Sequence, residues 1–485
     1  MNISYQLELR PPLSTVYGPL DYMEFRSQLE QIDRLLCNSN AEERFIVNFI
    51  KMNENYARKI PFLHTALRTQ ILLHLTNESY RNLAYRLADS ELFRWFIGVN
   101  ALAGARTPSK STIQRMEHIW SKEEITALIH DINRTVCDPA KSDELLHSEN
   151  AIEIKDLYAD STCVKANIHH PVDWLLFRDA IKTLIGSIKL IRAQGLVHRM
   201  AEPGSFVKEM NRLTIAMTQA CRNRSGKRER KRIFRTMKRL LKRVEQHACR
   251  YYEILDKSWA ITSWSEKEAF QVLTRMSNVM EQIPAIITIA HTRIISEKKV
   301  ENAEKILSLY EKNVHVIKRG KMSADVEFGN GFYLAEQRDG IIVDWDFFKD
   351  KPKSDSLIVK ESIGRIKENY HMESYATDRG FNSKRNDQFL ESEHVFNATC
   401  PRNSVELSIK MKDDKFLNAQ KRRAQTEGRI GIFKTKFIGE KISRKGYSNR
   451  ETKIFWALLT HNVWVIARKV NANYLKRTEQ LSQAA

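Results

Sequence analysis

Apolar positions early in the chain recur three and four residues apart. "NAEERFIVNFIKMNENY" puts Phe45, Ile46, Phe49 and Ile50 on one stripe, the pattern of an amphipathic helix. "TALRTQILLHLTN" and "ESYRNLAYRLADSELFRWFIG" continue it, so residues 41–135 read as all-helical. A loop, "GARTPSKS", follows, and Ser111 is placed to cap a helix "TIQRMEHIW". A break and then a short basic helix outline a helix-turn-helix, with Lys110 and Arg115 facing DNA, or a plain helical bundle. The period then changes. "IEIKDLYADSTCV" (152–164) suits a strand, with Ile152, Ile154 and Leu157 apolar and Asp160 at its end. Helical spacing returns over 170–312. Beyond it "DVEFGNGFYLAEQRDGIIVDWDF" alternates around an Arg338-Asp339-Gly340 turn, which predicts a hairpin. A helix, a short strand ending at Asp378, a helix, a strand and a long helix from about 412 to 437 complete the order. Strand, helical insertion, hairpin and then alternating helices and strands predict a mixed α/β domain interrupted by an insertion.

With 485 residues the chain is too long for one ordinary core. Its 42% hydrophobic content suffices for packed interiors. Lys and Arg outnumber Asp and Glu by 79 to 59, a formal charge of +20, which implies a polyanionic partner, nucleic acid before anionic membrane. The charge is concentrated: 12 of the 22 positions from 222 to 243 are Lys or Arg, while Ile233, Met237, Leu240, Leu241 and Val244 keep a helical apolar stripe. The expectation is a packed helix whose outer face, with Lys231, Arg235, Lys238, Arg239 and Lys242, meets phosphates; a merely solvated face is the alternative. The opening "MNISYQLELRPPLS" is not expected to be a secretory signal, and "IFWALLTHNVWVIARKV" reads as a core helix rather than a membrane span. Six scattered cysteines without a C-x-x-C pair indicate neither zinc nor disulfides, so a reduced, cytoplasmic protein is expected.

Three acids stand out. Asp160 and Asp378 are predicted at strand ends, where α/β folds place their sites. Glu427 lies in "QKRRAQTEGRIGIFKTKF", a lone carboxylate among cations. At roughly 100° per residue, Arg423 lies about 40° and Lys434 about 20° from Glu427, so the three share a helix face. Two Asp and a Glu without His or Cys make a hard oxygen set suited to Mg²⁺ or Mn²⁺. Two such ions, about 3.5–4 Å apart, serve phosphodiester transfer. Gly428 and Gly431 each cost about 1 kcal/mol in a helix; they allow a close backbone approach or mark a break. Asp156 shares Asp160's strand face and is the competing acid. Arg379 can pair with Asp378 or bind DNA. Asp344 and Asp346 read as structural, His169 and His170 as loop residues, and Trp345, Trp456 and Trp464 as core.

The blocks "YADST" (158–162), "ATDRGF" (376–381) and "RAQTEGRIGIFK" (423–434) resemble the catalytic blocks of DDE transposases from bacterial insertion sequences. The Arg-x3-Glu-x6-Lys spacing is met by Arg423, Glu427 and Lys434. "ANIHHPVD", "VIKRGK", "VEFG" and "RKGYSNR…HNVWVIAR" resemble the group long filed as not classified yet. The resemblance implies an RNase H-like mixed sheet at 150–169 and 313–470, with a helical insertion at 170–312. Before them it implies a helical DNA-binding domain at 41–140 behind an arm, 1–40; residues 471–485 form a tail. It further implies Asp160, Asp378 and Glu427 as catalytic metal ligands for two Mg²⁺ or Mn²⁺ ions. Cleavage at terminal inverted repeats and strand transfer into target DNA would follow, by a homodimer or larger assembly on double-stranded DNA, in a bacterial, nucleoid-associated setting without a membrane. Relatives carry a Tyr three residues before the motif Arg; Gln420 stands there. The alternatives are a non-catalytic DNA-binding derivative and an RNase H-like structure-specific nuclease.

Overall fold

The computed structural model describes residues 13–99, 106–223, 226–302, 304–321, 324–351 and 353–484. The chain forms two compact units, one of residues 1–165 and 330–485, the other of 166–329.

The first unit opens with helices α1 (Leu20–Asn38), α2 (Ala41–Met52), α3 (Ile60–Thr76), α4 (Tyr80–Asp89), α5 (Glu91–Phe96), α6 (Lys110–Met116), α7 (Lys122–Val136) and α8 (Ser142–Leu146). The predicted stripe Phe45, Ile46, Phe49 and Ile50 of α2 is buried. α3 is buried on all sides, including its polar His64, Arg68, Gln70 and His74. A helix surrounded by others has no solvent face on which to place polar groups, so each needs a partner. Arg68 finds Glu42 (2.6 Å), Asp33 and the carbonyl of Phe96 (3.1 Å). Burial opposes ionisation of Glu42, yet Arg68 and His64 hold its carboxyl down at about 2. α6 starts earlier than expected: Ser109, not Ser111, is its cap, its Oγ accepting from the Thr112 N–H. α6 ends at Met116, and Trp120, predicted on the same helix, is instead buried against Phe45, Phe49 and Trp456. Part of the loop before α6 lies outside the described residues.

After β1 (Asp156–Lys165) the second unit contributes α9 (Asp173–Ala193), α10 (Pro203–Arg222), α11 (Lys227–Ser258), α12 (Glu266–Met280) and α13 (Ile283–Ile294). The predicted stripe of α11 is buried in full, extended by Phe234, Ala248, Tyr251 and Leu255. β2 (His315–Lys321) pairs antiparallel with the opening residues of β3 (Ala324–Gln337). This strand falls outside the predicted order, which begins the second strand group at the later hairpin.

β3 runs on into the first unit, turns at Gly340, whose φ is +100°, and returns as β4 (Ile342–Phe347). Then come α14 (Asp355–Asn369), β5 (Ser374–Ala376), α15 (Lys384–Ser392), β6 (Phe396–Asn397), α16 (Ser404–Lys410), α17 (Asp414–Ile432), a π-helical turn over Phe433–Ile438, and α18 (Tyr447–Ala484). The fold is mixed α/β, with six described strands in one open sheet ordered β2-β3-β1-β5-β6 and β4 paired to β3. The predicted first strand is thus central, but its start moves from 152 to 156, and Asp160 lies inside it rather than at its end.

The N-terminal helices do not stand apart as a domain of their own. α18 carries Trp456, Leu458, Leu459, Val463 and Ile466 into the same hydrophobic cluster as α1–α8, and Phe332, Ile342 and Phe347 of the sheet join it. Asn462 of α18 locks this junction. Its Nδ2 donates to the Ile342 carbonyl (2.7 Å) and its Oδ1 accepts from the Ile342 N–H (3.0 Å), so one side chain pairs with the strand as a neighbouring strand would. Asn133 of α7 donates to the same carbonyl (3.2 Å). Among the described residues no helix is long and apolar enough to cross a membrane, and all six cysteines are free.

Asn462→Ala leaves a buried N–H without its partner, a loss of about 1–3 kcal/mol. Urea unfolding should register it, and the Ile342 amide should exchange faster with deuterium.

Candidate active site

β1 and β5 run parallel, with Asp156 opposite Ser374, Leu157 opposite Tyr375 and Tyr158 opposite Ala376. Asp160 and Asp378 each follow the last pair by two residues, so the strand register brings them level. Parity sets the face: Tyr158 and Ala376 pack against Phe416 and Ala419 of α17, and residues two apart on a strand share a side. Asp160 therefore points towards α17. The competing acid, Asp156, is occupied: it accepts from the Ser374 hydroxyl at 2.5 Å.

α17 is fastened over this edge at several points. Gln420 donates to the carbonyls of Thr377 (3.1 Å) and Ala398 (2.5 Å), bridging the ends of β5 and β6. Arg422 lies over the Tyr158 ring (4.5 Å) and donates to buried Glu336 of β3 (2.9 Å), as does Thr426 (2.8 Å). Phe433 stacks on Phe332 at 5.6 Å. Lys434 donates to the Cys163 carbonyl (2.6 Å) and to Thr162 Oγ1 (3.3 Å). The expected phosphate ligand is thus held against β1.

Arg423 sits between two of the acids, Nη1 3.8 Å from Asp160 Oδ2 and Nη2 3.6 Å from Glu427 Oε1. Arg423 is 14% exposed and Glu427 63%. Asp160 Oδ1 accepts from the Ser161 N–H (2.7 Å), and Asp378 Oδ1 from the Gly380 N–H (2.8 Å). Each aspartate thus has one oxygen fixed by backbone. Burial, then the nearby Asp378 carboxylate, push the Asp160 carboxyl up to about 6, against the pull of the Ser161 N–H and Arg423. Among the described residues no three His, Cys, Asp or Glu are grouped closely enough to hold a metal ion. The structure brings Asp160 and Asp378 within electrostatic reach and leaves Glu427 on the far side of a guanidinium. Two neighbouring carboxylates with oxygen donors alone suit a hard divalent cation, which would offset the burial and repulsion that raise Asp160.

The Asp378 turn explains its glycine. A Cβ on Gly380 would lie 3.0 Å from Asp378 Oδ1 and 2.9 Å from Asp355 Oδ2. Sequence reasoning misses Asp355, in the first turn of α14; its place in a Ser-Asp-Ser helix start is the available signal. Arg402 clips the same turn, donating to the carbonyls of Arg379 (2.9 Å) and Gly380 (3.0 Å); only the tertiary fold reveals it. Gln420 departs from the pattern of the resembled family, and its spacing from Arg423 already puts it on the site's side of the helix. Arg379 is exposed, and no ion pair with Asp378 is present among the described residues. Gly428 and Gly431 interrupt nothing: α17 runs through both, with open space where their Cβ atoms would be. Asp344 is structural, bound by Arg365 at 2.7 and 2.8 Å.

In the second unit Arg235, Arg239 and Lys242 are exposed on α11 and Lys238 is half-exposed. With Arg228 and Arg232 the exposed cations form a ridge about 20 Å long. Lys231 is engaged elsewhere: with Lys227 it holds Glu297, at 2.6 and 2.5 Å, and their hydrogen bonds keep that carboxyl at about 2. In the first unit Lys110 and Arg115 of α6 are exposed, while Ile113 and Met116 anchor that helix.

A raised acid binds its proton more readily when folded, so its destabilising effect is absent below the unfolded value near 4 and complete above about 6. Asp160→Asn should therefore stabilise metal-free protein by roughly 1–3 kcal/mol at pH 8 and by little at pH 4. Urea unfolding in EDTA at both pH values checks this.

Comparison with protein families, with curated proteins and with solved structures finds no match to the chain.

Proposed function

We propose that the chain is a DNA transposase of the DDE kind, cutting at the inverted repeats of an insertion sequence and joining the freed end to target DNA. The observation that carries this reading is the pairing of Asp160 and Asp378 by strand register, beneath the helix that bears Arg423 and Glu427. A central first strand, a helical insertion directly after it and a mixed sheet support an RNase H-like core.

Asp160 and Asp378 would hold Mg²⁺ or Mn²⁺, with Glu427 completing the set. The bound ions would activate the attacking oxygen and neutralise charge on the leaving one. The chain's own residues do the rest. Ser161 and Gly380 amides fix one oxygen of each aspartate. Gln420 keeps α17 in place over them. Arg423 faces the reacting region and can bind a phosphate beside the scissile one. The α11 ridge supplies sequence-independent attraction to duplex DNA.

One observation favours a second reading. Glu427 is largely exposed and pairs with Arg423, the arrangement expected of a non-catalytic DNA-binding derivative.

Duplex DNA carrying the repeats that flank the gene discriminates between them. In Mg²⁺, nicking at the repeat ends is expected, roughly 10²–10³-fold weaker in Asp378→Asn, the scale of losing one group that stabilises a transition state. Tight binding without any cutting in Mg²⁺ or Mn²⁺ would establish the second reading instead.

The ridge makes a separate prediction. Replacing Arg235, Arg239 and Lys242 by Ala should flatten the log–log salt dependence of DNA affinity by about 3, roughly 0.9 for each phosphate no longer neutralised. Lys231→Ala should change it little, because that lysine is already paired with Glu297.

A further inference from the structure

Arg423 has a local environment that phosphate binding alone does not account for. Its guanidinium lies between Asp160 and Glu427, at 3.8 and 3.6 Å, too far for good hydrogen bonds to either. Among the described residues its Nε and Nη1 are buried without a hydrogen-bond partner. A buried guanidinium nitrogen without an acceptor is costly, so this placement needs a compensating role. The compensation is electrostatic. Asp160 and Asp378 are brought together by a register they cannot escape, and Arg423 is the one cation within 4 Å of Asp160 among the described ion pairs.

Resting on the metal-site reading above, we infer that Arg423 is a resident counter-cation. It occupies the space between Asp160 and Glu427 while no divalent ion is bound, and it must leave for Glu427 to reach a shared ion. A DNA phosphate supplies the acceptors that its Nε and Nη1 lack. Moving to the phosphate frees the carboxylates, so ion loading and DNA binding favour each other. The coupling is reciprocal: whatever DNA does for ion affinity, the ion does for DNA affinity. Metal loading without DNA is thereby held back, and with it unguided hydrolysis.

The test reads ion binding directly. Mn²⁺ binding to the full-length protein is followed by electron paramagnetic resonance, with and without a short duplex of arbitrary sequence. Arg423→Gln should bind Mn²⁺ at least about fivefold tighter than wild type in the absence of DNA. Duplex should tighten Mn²⁺ binding in wild type and do so much less in Arg423→Gln. Arg423→Lys, which keeps the charge, should stay near wild type. If Arg423→Gln fails to fold, Arg423→Met takes its place, with a thermal melt confirming the fold.

Mn²⁺ affinity unchanged or weakened in the charge-removing variant overturns the inference. Asp160→Asn and Asp378→Asn separate that failure from a deeper one. If both lose Mn²⁺ while Arg423→Gln gains nothing, the metal site stands and only the counter-cation role falls. If both bind Mn²⁺ as wild type does, the metal site falls and the inference falls with it.

Discussion

The parallel register of β1 and β5 is the constraint on which the site depends. A one-residue slip would turn Tyr158 and Asp160 away from α17 and break the level pairing of Asp160 with Asp378. Little else holds that register locally, since β5 is only three residues long. Its security comes from buried Leu157 and Tyr375, from the Ser374–Asp156 hydrogen bond and from Gln420 spanning the neighbouring strand ends. Asp156 and Asp160 thus divide the work of one strand face, the first holding alignment and the second left available for chemistry.

Polar groups buried in pairs connect helices to one another and to the sheet. Glu42 and Arg68 bind α2 to α3, Asn462 and Asn133 meet at Ile342, and Glu336 receives both Arg422 and Thr426. Each joins segments distant in sequence, and each would be costly to leave half made. Such contacts specify one arrangement of long helices that apolar packing alone would allow to slide. The helical region at the start of the chain is for this reason continuous with the sheet through a single core.

Elements with one strong period are legible in the sequence: the stripe of α2, the basic helix α11, the Arg-Asp-Gly turn and the order of helices and strands after it. Their signals are local. Strand limits are not legible, because Ile152 and Ile154 are buried before the strand begins and burial alone does not require pairing. The π turn is invisible to a reading at 100° per residue, and Lys434, expected at a phosphate, instead meets β1. At the site, the expectation of strand-end acids fits Asp378, just past β5, whereas Asp160 lies inside β1 and owes its level placement to the register with β5. Arg402 and Asp355 escape such a reading because their roles arise from folding around the Asp378 turn. The stray glutamate among cations has a cation for its neighbour, the same Arg423 that shares its helix face by spacing.

The π-helical turn at Phe433–Ile438 has a mechanical consequence. A wider turn holds more residues per revolution, so Phe433, Phe437 and Ile438 can all face inward. The stretch carrying Arg423 and Glu427 is thereby offset in phase from the hydrophobic anchor that follows. The anchor can seat itself in the shared core while the chemical face keeps its own alignment towards β1.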